Sequence, residues 1–205
     1  MADYATGLDL KQRLTGLTTV NDELYEAAVT AASRFVDWYC DRVFSKSTSA
    51  ETRTFRATTA RLVNLPDFSD VVSVATLKTD PAGTGSFDVE WSAGDYQLAP
   101  IDAQYGPEPR PYTRIEAVGS ARFPCPSFTG RSDRVQVTGV FGWPVAPPAA
   151  VREATLIVAS KLFRLKDAPF GYARLGEEGY ARVRAENPEA TQLLEPYRRH
   201  IVMVG

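Results

Sequence analysis

The sequence predicts an α+β fold, a helical part that carries a large antiparallel β insertion. Three observations predict it. Long helical patterns at 22–44 and 148–165 stand on either side of a stretch, 52–140, that reads as strands. The apolar period changes from three-and-four to two after the polar connector 45–51, and changes back at Pro147-Pro148. The chain has 205 residues, 44% hydrophobic and 23% charged, so it can bury a real core and is not of disordered composition. The expected division is a helical part, 1–50 with 148–205, and a β-rich insertion, 51–147.

In chain order, a short helix over 9–14 precedes the break at Gly16. Thr19 or Asn21 can cap the first long helix, and Asp22, Glu23 and Glu26 load its first turns with the charge its dipole favours. Leu24, Ala28, Ala31, Phe35, Trp38 and Tyr39 then recur at three- and four-residue steps and make an apolar face. Ala27, Ala28, Ala31 and Ala32 keep part of that face small, so a second helix can come close. Short strands are expected over 52–57, 61–65, 71–77, 86–91, 96–98, 112–118 and 134–140, from their Val, Thr and aromatic content and their alternation. Asp80-Pro81-Ala82-Gly83-Thr84-Gly85 and Ala93-Gly94-Asp95 supply turns between them. Seven such strands fit a small sandwich or barrel. The stretch 100–111 holds four prolines and reads as a surface loop.

Pro148 opens the second long helix, whose stripe is Val151, Ala154, Ile157, Val158, Leu162 and Leu165. A loop over 170–180 and a short helix over 188–195 follow. Two helices of this kind are marginal alone and need the β block, the last helix or neighbouring copies to cover them.

Bulk charge excludes the usual polyanion binders. Net charge is −2, and the acidic and basic residues are evenly spread along the chain. The N-terminus has no apolar run of signal-peptide type, so a cytoplasm-like compartment is expected, with no membrane partner. Cys40, among aromatics in a helical pattern, reads as a buried free thiol.

Catalytic chemistry finds little support. The only histidine, His200, is six residues from the end, so a Ser-His-Asp arrangement has no base in a framed position. Gly83-Thr84-Gly85-Ser86 lacks the Lys and spacing of a phosphate loop and reads as a hairpin turn. Glu177-Glu178, and Asp88 with Glu90 and Asp95, are read as solvated acids rather than metal ligands. No catalytic residue, cofactor or metal site is therefore expected. Trp91, Tyr96, Tyr105, Tyr112 and Phe123 are read mainly as packing. The alternative is a stacking surface, which would make the chain a glycan- or ligand-binding β module on a helical base. The C-terminus combines Tyr197, Arg198 and Arg199, residue types enriched at interface hot spots, with an apolar run containing Ile201 and Met203. That end is read as docking on its own core or on another chain, with disorder as the third alternative.

Four stretches carry a resemblance to a known family. They are 31–44 (AASRFVDWYCDRVF), Thr52-Arg53-Thr54-Phe55 with Arg61-Leu62, 137–144 (VTGVFGWP) leading into the helix over 151–165, and 193–199 (LLEPYRR). In this order they resemble the head-to-tail adaptor, or connector, proteins of tailed bacteriophages and related gene-transfer particles. The resemblance implies a structural virion protein without catalysis, assembled in the host cytoplasm and placed at the head–tail interface. It would form a homo-oligomeric ring, twelve-fold, under the portal protein. That ring would extend the channel for genomic DNA without reading its sequence and dock the stopper or tail-completion protein. On this reading Tyr197, Arg198, Arg199, Ile201 and Met203 are the expected portal contacts. Ala28, Ala31, Phe35 and Trp38 are the expected contacts between copies. The β block is far larger than the short hairpin of the smallest family members.

Overall fold

A computed structural model describes residues 2–14, 22–125, 132–165, 172–175, 179–182 and 187–199. It has the expected α+β composition, and the chain divides into two compact units: Met1–Asp41 with Pro147–Gly205, and Arg42–Ala146.

The first unit contains α1 (Gly7–Arg13), α2 (Asp22–Cys40), α3 (Ala149–Leu165) and α4 (Pro188–Leu194), followed by a 3₁₀ turn, Glu195–Tyr197. Thr6 and Asp9 form a capping box that starts α1, each side chain bonded to the other's backbone amide. The expected caps of α2 at Thr19 or Asn21 lie outside the described residues. α2 stops at Cys40, four residues before the expected end, because Asp41 takes a left-handed conformation (φ 53) that no helix continues. Tyr25 of α2 stacks on Phe163 of α3 at 4.4 Å, and both are buried. α3 buries Val151, Ala154, Leu156, Val158, Ala159 and Phe163. Leu162 and Leu165, expected in that stripe, are exposed instead. The 170–180 loop is also corrected: β8 (Tyr172–Leu175) and β9 (Gly179–Arg182) pair antiparallel as a hairpin.

The second unit holds β1 (Glu51–Phe55), β2 (Leu62–Asn64), β3 (Val71–Thr79), β4 (Val89–Glu90), β5 (Tyr96–Ala99), β6 (Arg114–Ala117) and β7 (Val135–Phe141). They form two antiparallel sheets, ordered β1-β7-β3-β4 and β2-β6-β5. Alternation along β7 turns Val135, Val137 and Phe141 inward, where they meet Phe55 and Leu77 of their own sheet and Val63 and Ile115 of the other. One core therefore lies between two sheets, as the alternating pattern predicts. Ser86–Trp91 yields only the two paired residues of β4, and 100–111 is free of strand.

Two loops show why their residues are there. Asp80 accepts the amides of Gly83 at 2.7 Å and Gly85 at 2.6 Å, so the β3–β4 turn closes around its carboxylate. Burial pushes the Asp80 carboxyl up, but the amides of Gly85, Gly83 and Thr84, with Arg134, outweigh it and hold the pKa below the usual value. After β7, Gly142 takes φ +106, and a Cβ there would lie 1.9 Å from the Ser45 carbonyl oxygen. That turn lets the next residue, Trp143, bury fully against Phe44 (ring centroids 5.0 Å) and below the guanidinium of Arg42 (5.7 Å). Arg42 is itself held by buried Asp70 at 3.3 Å.

Candidate assembly surface on the first long helix

α2 carries two apolar stripes. Tyr25, Val29, Ala32, Val36 and Cys40 face the core of their unit and are buried. Of the face read from the sequence, Leu24, Ala28, Ala31, Phe35 and Trp38 lie roughly a third of a turn away, with Tyr39 at its edge. Their spacing of four, three, four and three residues is that of a coiled-coil seam. The described residues do not bury this seam. Leu24 is 46% exposed and Trp38 74%, Ala31 is exposed, and Ala28 and Phe35 are half-buried. The apolar face that the sequence suggests as the helix's packing surface is thus its outer one. Beside the core-facing stripe lie the polar Ser33 and Asp37, also buried, which obscure it in the sequence.

Those two polar residues are explained by an N-terminal strap that sequence reasoning missed. The backbone amide of Tyr4 donates to Ser33 Oγ at 3.2 Å, and the Tyr4 hydroxyl donates to Asp37. Thr30 donates to Asp3 at 2.6 Å, and Arg34 reaches the Ala2 carbonyl at 2.7 Å and Asp37 at 3.3 Å. Residues 2–4 thus cover a third, polar face of α2. Burial raises the Asp37 pKa, and the Tyr4 hydroxyl and Arg34 only partly oppose it.

At the C-terminal end of α2 the seam runs into a polar-aromatic cluster. Phe35 stacks with Tyr39 at 6.1 Å, and the Tyr39 hydroxyl donates to Glu195 at 3.0 Å. Burial, then that hydrogen bond, raises the Tyr39 pKa. The Arg198 guanidinium lies 5.5 Å from the Tyr39 ring, and the Arg199 amide donates to the Cys40 carbonyl at 3.0 Å, satisfying one of the helix's terminal acceptors. The structure therefore brings Phe35 of one expected site beside Arg198 of the other. Tyr39, singled out for neither, joins them. Tyr197 and Arg199 are buried in their own unit, Arg198 is exposed, and Ile201 and Met203 lie outside the described residues.

The other sequence candidates are dispersed. Trp91 stacks on buried Phe123 at 4.4 Å, Tyr96 and Tyr112 pack against the core of the β unit, and of the five aromatics weighed for a stacking surface only Tyr105 is exposed. They do not make the exposed row that a stacking surface needs. Cys40 and Cys125 are both free, the first buried. Among the described residues no group of three or more His, Cys, Asp or Glu could hold a metal ion, and no helix is long and apolar enough to cross a membrane. His200 and Glu177-Glu178 lie outside the described residues.

Neither a protein-family model nor a curated protein matches the chain. Solved structures do match. A chain in the neck of an empty gene transfer agent particle, computed with C6 symmetry, aligns with a TM-score of 0.55 and 20% identity over 97% of this chain and 91% of that one. A chain in the neck of a native gene transfer agent particle, computed with C12 symmetry, gives 0.54 and 20% over 97% and 90%. One in the virion of a native gene transfer agent particle gives 0.53 and 20% over 97% and 91%. This chain therefore has, over nearly its whole length, the fold of a component of a gene transfer agent neck.

Proposed function

We propose that this chain is a structural, non-catalytic neck protein. As a head-to-tail adaptor it forms a ring of copies under the portal at the head–tail interface of a virion-like particle, extends the DNA channel and docks the stopper or tail. The observation that carries this reading is the fold likeness to gene transfer agent neck chains across 97% of the sequence. The seam of α2 supports it. Ring neighbours meet through different faces of the same chain, and an apolar stripe that the monomer leaves open gives one such face. Ala28 and Ala31 allow close helix approach, while Phe35 and Trp38 are of the type that anchors interfaces. The portal contact falls to Arg198 and to the residues after Arg199, because Tyr197 and Arg199 are already engaged within their unit.

The test mixes the purified chain with its portal and follows mass and shape by mass photometry and negative-stain electron microscopy. A ring stacked on the portal is expected. Deleting residues 200–205, which spares Tyr197 and Arg199, should weaken portal binding without unfolding the chain. A chain that stays single beside excess portal would refute the proposal.

A further inference from the structure

The β unit carries a loop with exposed apolar side chains at one end and an open depression at the other. The loop is residues 100–111, joining β5 to β6. Its four prolines stiffen it, the Arg110 amide closes it onto the Ala103 carbonyl at 2.7 Å, and Gln104 Nε2 ties it to the Val72 carbonyl at 3.1 Å. This fixed frame holds Tyr105 85% exposed and Ile101 63% exposed. A rigid loop that holds two large apolar side chains in water is preorganised to insert them into another surface.

The depression has a volume of about 490 Å3 and is formed by Val89, Trp91, Phe123 and Pro124, with Glu90, Asp95 and Arg122 around it. It lies at the far end of the same strands. Asp95 precedes β5 and Phe123 follows β6, whereas the loop connects their other ends. Along β3, Val72 anchors the loop and Thr79 lines the depression, roughly 23 Å away at strand rise. The loop therefore cannot fill the depression of its own chain. Each surface carries two acids and one base, Asp102, Glu108 and Arg110 on the loop and Glu90, Asp95 and Arg122 at the depression, so each arginine has an acid of the other surface to face.

From this polarity we infer that the occupant is a second copy: the loop of one β unit seats Tyr105 and Ile101 against Trp91 and Val89 of the next copy. A loop and a recess at opposite ends of one unit form a heterologous contact, which propagates around a ring. The inference rests on the ring reading and gives the β insertion a role in it, as a second belt of copy-to-copy contacts independent of α2.

The test is a double-cysteine chain, Tyr105→Cys with Val89→Cys, in a Cys125→Ser background that removes the exposed native thiol. The two new cysteines are too far apart to bridge within one chain, since a disulfide needs Cα atoms within about 7 Å. On portal-assembled protein, mild oxidation should give a covalent ladder longer than a dimer, and each single-cysteine chain should give none. Tyr105→Asp should weaken assembly at least about tenfold at unchanged melting temperature, because the side chain is in water. Rings that form normally but yield no ladder, with Tyr105→Asp assembling like the parent, overturn the inference and leave the ring reading intact. A parent chain that forms no ring, seen directly by mass photometry, overturns both.

Discussion

Gly142 shows how one residue sets local structure. Its φ of +106 and the 1.9 Å gap to the Ser45 oxygen leave no room for a Cβ, and the obstruction is backbone that cannot swing away. Gly142→Ala should cost at least ~2 kcal/mol and release Trp143 from its site, read as a lower melting temperature and a red-shifted tryptophan emission. Asp37 makes a pH prediction. Its pKa is raised in the folded chain, so between the unfolded and folded values the native state holds more protons, and stability falls as pH rises through that window. Asn at 37 has no proton to lose. Relative to the parent, Asp37→Asn should gain stability in denaturant titrations as pH rises above the ordinary carboxylate value, about 4. A constant offset as pH rises would contradict this. Asp80 behaves oppositely: its lowered pKa gives stability that is lost as pH falls through the folded value, so the deficit of Asp80→Asn should shrink in acid.

At the level of elements, α2 separates two kinds of apolar residue. Tyr25 is buried and stacked on Phe163, so Tyr25→Ala should cost about 3–5 kcal/mol. Trp38 is 74% exposed, so Trp38→Ala should change monomer stability by no more than about 0.5 kcal/mol, while abolishing assembly on the portal. Equal melting losses for the two variants would show that the seam belongs to the fold of the single chain. Much of this architecture is legible in the sequence, because period is a property of the chain. Strict alternation marks β7, and turn residues mark the strand boundaries around Asp80 and Gly94. What stays hidden depends on partners distant in sequence. Which of the two stripes of α2 faces inward is decided by Phe163 and by the strap at Tyr4, and no local pattern reports either. The end of α2 turns on a left-handed Asp41, a conformation uncommon outside glycine that no local pattern announces. The hairpin β8–β9 is four residues a side, too short for alternation to stand out. The seam itself was visible in the spacing of Leu24, Ala28, Ala31, Phe35 and Trp38, but its exposure was not.

For the whole molecule, the two units each bury a core, and each leaves surfaces that a single copy does not use. Among the described residues, the helical unit leaves the α2 seam open, and the β unit leaves the Tyr105 loop and the depression at Trp91. A chain whose job ended with its own fold would have little reason to hold Trp38, Ile101 and Tyr105 in water, where large apolar groups invite association. On the proposed adaptor reading, the near-neutral charge suits a channel wall that lets DNA pass without holding it. The most direct test of the central claim is a cryo-electron microscopy reconstruction, at side-chain resolution, of this chain assembled on its portal. The account predicts a closed ring in which Ala28, Ala31, Phe35 and Trp38 are buried against the adjoining copy. A ring whose copies meet elsewhere and leave that seam facing solvent, or no ring at all, would contradict it.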